Sequence, residues 1–111
     1  MGWQKLCSAD EVSSEQLTAV TIQGVRVLVT RVGDEFVAFP PLCPHMAEPL
    51  ETSGVCADGT LTCTKHIWQW DLKTGAPMGE AERPLLYYPI RLEGNELFID
   101  FERELAYDYD E

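Results

Sequence analysis

Positive charge is scarce in this chain. Eight lysines and arginines stand against nineteen aspartates and glutamates in 111 residues, a formal net charge of −11. Phosphate backbones and anionic lipid surfaces repel such a field, so nucleic acid and membrane are excluded as partners and a basic protein surface is favoured. Long apolar runs are missing too. Stretches such as Val25 to Val29 fall far short of the roughly 18 residues a membrane helix needs. The opening Met1-Gly2-Trp3-Gln4-Lys5 has no signal-peptide character, and Leu6 stands where a myristoylation pattern wants Ser or Thr. A cytoplasmic protein is expected. No segment sustains a helical period, which points to antiparallel β structure. At 45% hydrophobic the chain is too apolar to be disordered. Its length suits one domain, residues 1–111, with one core and no separate cofactor domain.

What is present is mostly strand pattern. Leu17 to Ile22, Val25 to Val32 and Glu35 to Phe39 are separated by Gln23-Gly24 and Gly33-Asp34, short links that read as consecutive hairpins. Tyr88 to Leu92 and Leu97 to Phe101 flank Glu93-Gly94-Asn95-Glu96, a third hairpin. Ser8-Ala9-Asp10-Glu11 can cap a short helical turn. The tail from about 102 to 111 is acidic, and its Tyr107-Asp108-Tyr109-Asp110-Glu111 end is expected to be a solvated, loosely ordered strip.

Between about residues 40 and 84 the composition changes. Six of the seven prolines, both histidines and three of the four cysteines lie there. Such a stretch is not expected to form a continuous sheet, so something other than strand pairing should organise it.

Each histidine stands beside a cysteine, in Cys43-Pro44-His45 and in Cys63-Thr64-Lys65-His66, with seventeen residues between the two motifs. Two short knuckles can converge four soft or borderline ligands on one metal site. Three readings compete. The pairs could be unrelated and governed by packing, which the capture of both histidines disfavours. They could form a zinc site, the core of a zinc-stabilised acidic binding module. Zinc knuckles, however, more often separate their cysteines by two to four residues, and here the cysteines come from different halves. Or they could hold a [2Fe–2S] cluster with two cysteines on one iron and two histidines on the other. Each knuckle would then donate one thiolate and one imidazole. Cys7 and Cys56 lack partners at ligand spacing and read as buried small side chains or idle thiols.

The run Cys43-Pro44-His45, then Cys63-Thr64-Lys65-His66-Ile67-Trp68-Gln69-Trp70-Asp71-Leu72-Lys73-Thr74-Gly75, resembles the binding signature of Rieske ferredoxins. The likeness extends over nearly the whole chain. It is strongest to the ferredoxin components of bacterial multicomponent aromatic monooxygenases, of the toluene/o-xylene kind. The resemblance implies an all-β fold of two stacked antiparallel sheets with an inserted cluster-binding subdomain at about 40–84. It implies that Cys43 and Cys63 ligate the inner iron and His45 and His66 the outer one, through Nδ1, with one [2Fe–2S] cluster per chain. It also implies a monomeric electron carrier rather than an enzyme. The electron would pass from an NADH-dependent flavin reductase to a di-iron hydroxylase of aromatic hydrocarbons, both docking near His45 and His66. Pro44, Met46, Ile67 and Met78 would form the apolar centre of that face and Glu48, Glu51, Glu80 and Glu82 its acidic ring. Pro77 and Met78 resemble the family's third loop, which shields the cluster from water. The alternative is the ferredoxin of a ring-hydroxylating dioxygenase. Those ferredoxins usually carry Gly where Ile67 stands, which leans the reading toward the monooxygenase branch.

Two departures from high-potential respiratory Rieske proteins bear on redox behaviour. Glu48 and Lys65 stand at the places of an extra disulfide, and Trp68 and Trp70 replace the Ser and Tyr that hydrogen-bond the cluster sulfurs. Trp68 itself reads equally as core or as a partner contact. Fewer hydrogen bonds to sulfur and a net charge of −11 both disfavour adding an electron. The reduction potential is expected below zero, low in the Rieske range. A redox titration placing it well above zero would defeat that expectation.

Overall fold

The computed structural model describes residues 3–14, 16–44, 49–65, 67–79 and 81–107. Ten strands in three antiparallel sheets make up nearly all of its regular structure. The first sheet pairs β1 (Trp3–Ser8) with β10 (Glu96–Asp100) and β10 with β9 (Ile90–Glu93). The second is the meander β2 (Thr18–Ile22), β3 (Val25–Val32) and β4 (Glu35–Phe39). The third contains β5 (Gly54–Ala57), β6 (Thr60–Cys63), β7 (Trp68–Asp71) and the two-residue edge strand β8 (Pro77–Met78). Among the described residues helix is limited to a 3₁₀ turn at Ala9–Glu11, capped by the Ser8 hydroxyl as expected, and one α-turn, α1 (Leu50–Ser53). Among the described residues no helix is long and apolar enough to cross a membrane.

The meander is the central layer. Alternate side chains of a strand point to opposite faces, and β3 is buried on both. Val27 and Val29, with Ala38 of β4, pack against Leu6, Leu97 and Ile99 of the first sheet. Leu28 and Val32, with Val37 and Phe39, pack against Leu61, Trp70 and Leu72 around the third sheet. That is why Val25 to Val32 reads as a nearly continuous apolar run rather than an alternating one. The hairpins turn where the sequence places them. Gln23 and Gly24 both take positive φ, 52° and 80°, the backbone that a two-residue turn needs to match strand twist.

Two expectations are corrected. Residues 40–84 do hold a sheet, and strand pairing does organise them. Pro40, Pro41, Pro44 and Pro49 all precede its first strand, and Pro77 sits on the edge strand, where a missing N–H disturbs little. No strand of this sheet exceeds four residues, too short for a periodic signal. The second correction concerns Tyr107, the one described residue of the strip expected to be loose, and the chain leading to it is ordered as well. Phe101 is buried against Tyr88, their rings 5.6 Å apart. The Leu105 N–H donates to the Tyr88 hydroxyl at 2.9 Å, and the Leu86 N–H donates to the Tyr107 hydroxyl at 3.1 Å. The chain is therefore tied down through Tyr107, while residues 108–111 lie outside the described part.

Candidate metal centre

The two knuckles start from buried cysteines. Cys43 and Cys63 are fully buried, as is Pro44. The first loop leaves the fold at a narrow neck: Leu42 and Pro49 form an antiparallel bridge, and the Leu50 N–H donates to the Pro41 carbonyl at 2.8 Å. The second is a tight turn between β6 and β7, where Cys63 pairs with Trp68 and the Ile67 N–H donates to the Cys63 carbonyl at 2.7 Å. His45, Met46, Ala47, Glu48, His66 and Glu80 lie outside the described residues.

One turn of helix connects the knuckles. α1 begins at Leu50, bound to the first neck, and ends at Ser53, whose carbonyl accepts from both the N–H and the hydroxyl of Thr64, each at 2.8 Å. Gly54 follows because a Cβ there would sit 2.6 Å from the Leu50 carbonyl oxygen. Arg26, on the central sheet, grips α1 from outside: its Nε and Nη2 reach Glu51 at 2.7 and 2.6 Å. Arg83 closes the remaining side, with Nη1 at 3.5 Å from the Pro44 carbonyl and its own carbonyl accepting the Trp70 indole N–H at 2.7 Å. None of these braces carries a sequence signal. They join residues 11 to 39 positions apart.

Several expected surface roles change. Pro44 is buried and cannot belong to an exposed apolar centre. Glu51 is drawn into its ion pair with Arg26 rather than standing as an open acid. Trp68 and Trp70 point to the same face and both are core, packed edge to face at 6.1 Å. The Trp70 N–H is spent on Arg83, so it is unavailable to a sulfur. Ile67 lies in the turn before β7 and is 66% exposed; Met78 and Glu82 are exposed as expected. Ile67 also has φ +61°, a left-handed backbone that costs a side chain with a Cβ about 1–2 kcal/mol. Cys7 is buried, with its thiol pushed up by burial and by Glu11, and Cys56 is half-buried.

Known proteins resolve the reading. The Rieske [2Fe-2S] domain family matches residues 2–89. This chain belongs to that family. The methanesulfonate monooxygenase ferredoxin subunit of Methylosulfonomonas methylovora is 44% identical over 111 residues, covering all of this chain and 90% of that one. The biphenyl dioxygenase ferredoxin subunit of Pseudomonas sp. (strain KKS102) is 31% identical over 104 residues, covering 93% and 95%. A solved complex of reduced oxygenase and oxidised ferredoxin in carbazole 1,9a-dioxygenase contains a chain that superposes with TM-score 0.77. That chain is 25% identical, with 94% of this chain and 97% of that one covered. The cofactor of a Rieske domain is a [2Fe–2S] cluster, one iron held by thiolates and the other by imidazoles. The donors here fit it: two cysteines withdrawn from water, each followed within three residues by one of the chain's two histidines.

The Arg26–Glu51 brace has a pH signature. Hydrogen bonding to Arg26 holds the Glu51 carboxyl below its ordinary value. A lowered carboxylate stabilises the fold above its unfolded value of about 4.3 and stops doing so as pH falls through the lowered one. Glu51→Gln is therefore expected to be less stable than the parent at neutral pH and to converge on it in acid, with a gap that narrows as salt rises. Denaturant melts across pH check this, and a gap that stays constant into acid would contradict it.

Proposed function

We propose that this chain is the one-electron carrier of a multicomponent oxygenase and that Cys43, His45, Cys63 and His66 hold its cluster. The electron comes from an NADH-dependent flavin reductase and goes to a di-iron hydroxylase acting on an aromatic hydrocarbon of the toluene/o-xylene kind. The observation that carries the reading is the pair of buried cysteines at the necks of two loops that α1 ties together, beside a face exposing Ile67 and Met78. Bound there, the cluster supplies one reversible electron step. The chain keeps water from the two thiolates and, through α1, holds the two loops at a fixed relation. It has no substrate of its own to position. The ferredoxin subunits among its relatives, and the ferredoxin–oxygenase complex to which its fold is similar, support the role of carrier.

A second reading, the ferredoxin of a ring-hydroxylating dioxygenase, is favoured by the biphenyl dioxygenase ferredoxin's likeness over 93% of this chain. Ile67 in place of glycine favours the monooxygenase reading. Docking faces of electron carriers are small, below about 1,200 Å², and acids such as Glu82 would steer a basic partner.

Reconstitution decides between the two. The cluster-loaded chain would be offered, with a reductase, to three oxygenases: a toluene/o-xylene di-iron hydroxylase, biphenyl dioxygenase and methanesulfonate monooxygenase. The di-iron hydroxylase is expected to turn over fastest, and more slowly as salt rises. Faster turnover of the biphenyl dioxygenase would favour the second reading, and a flat salt response would remove the acidic steering.

A further inference from the structure

We infer that Ile67 is the specificity-determining contact of this carrier, an apolar knob that seats in a recess of the oxygenase component. The inference rests on the carrier reading above. Three non-glycine residues among those described have positive φ: Gln23, Asp58 and Ile67. Gln23 and Asp58 each precede a glycine in a two-residue hairpin turn, where such backbone is required. Ile67 is different in kind. It is β-branched, and a β-branched residue at positive φ is an outlier. Glycine would close the Cys63–Ile67 turn without strain, because the hydrogen bond that closes it uses only backbone atoms.

Among the described residues nothing inside the molecule repays the strain. Ile67 belongs to neither core cluster and, at 66%, is the most exposed of the large hydrophobic residues described. The side chain therefore disfavours the free chain twice, through its backbone and through apolar surface left in water. Its gain must be realised when something covers it. The turn that carries it starts at Cys63, so whatever covers it sits within reach of the cluster. Met78 is exposed on the neighbouring edge strand, paired with Gln69 two residues beyond Ile67, and extends the apolar surface. Around this lies a chain of net charge −11, which selects a recess rimmed by basic groups. The oxygenase is the fitting occupant, because the family's ferredoxins serve different oxygenases and an exposed side chain at this turn can distinguish among them.

Three substitutions test it. Asparagine tolerates positive φ better than isoleucine, so Ile67→Asn relieves the strain and removes the knob together. Ile67→Gly does the same without any side chain, and Ile67→Leu keeps an apolar knob. The oxygenase used is whichever one the parent chain drives fastest in the reconstitution panel. Ile67→Asn is expected to melt about 2–4 °C higher than the parent with an unchanged cluster spectrum and potential. Its KM for the oxygenase should rise about tenfold, which is about 1.4 kcal/mol of lost contact, with kcat kept. Ile67→Gly should show the same rise in KM, and Ile67→Leu should stay near the parent. A lower melting point for Ile67→Asn would make Ile67 a packing residue and overturn the inference. So would an unchanged KM, or a rise confined to the reductase. A parent chain that drives no oxygenase overturns the carrier reading itself, whereas a working parent matched by Ile67→Asn overturns only the role of Ile67.

Discussion

The carbonyl of Ser53 ties the two cysteine knuckles to each other. It accepts two hydrogen bonds from Thr64, the residue after Cys63, and it ends the helical turn whose first residue, Leu50, is bound to the neck of the Cys43 loop. The link continues directly into the third sheet, where Gly54 pairs with Cys63, and both cysteines sit in the same core cluster. Four donors from two loops can share one cluster only if the loops keep a fixed relation, and metal sites depend on such outer contacts for their geometry. Arg26 and Arg83 reinforce the same relation from either side.

The rest of the fold supplies a rigid base for that link. The central meander is buried on both faces, so it transmits the packing of the first sheet to the third. Tyr87 shows how the layers are joined. Its hydroxyl donates to the Leu72 carbonyl at 2.6 Å, its ring lies 5.9 Å from Phe39, and burial pushes its ionisation well up. The two knuckles thus stand on a well-packed body, with Cys43 and Cys63 buried and Ile67 and Met78 exposed.

Much of this was legible in the sequence because its signals are local. The meander and the 90–100 hairpin announced themselves through apolar runs broken by two-residue turns, and the paired Cys/His knuckles pointed to a metal. What stayed hidden depends on contacts between distant residues. Glu51 looked like an open surface acid because nothing near it in sequence reveals Arg26. Pro44 looked exposed because a proline in a loop usually is, and only the packed neck buries it. The third sheet was missed because its strands are too short to show a period, and the anchoring of Tyr107 because it comes from a hydroxyl contact to Leu86.

The central claim is mixed histidine and cysteine ligation of a two-iron cluster, and an EPR spectrum of the dithionite-reduced protein tests it most directly, with iron and zinc counted on the same sample. The account predicts a rhombic signal whose average g lies below that of all-cysteine ferredoxins, with about two irons per chain. The absence of a signal, together with one zinc per chain, would contradict it and leave a small acidic binding module.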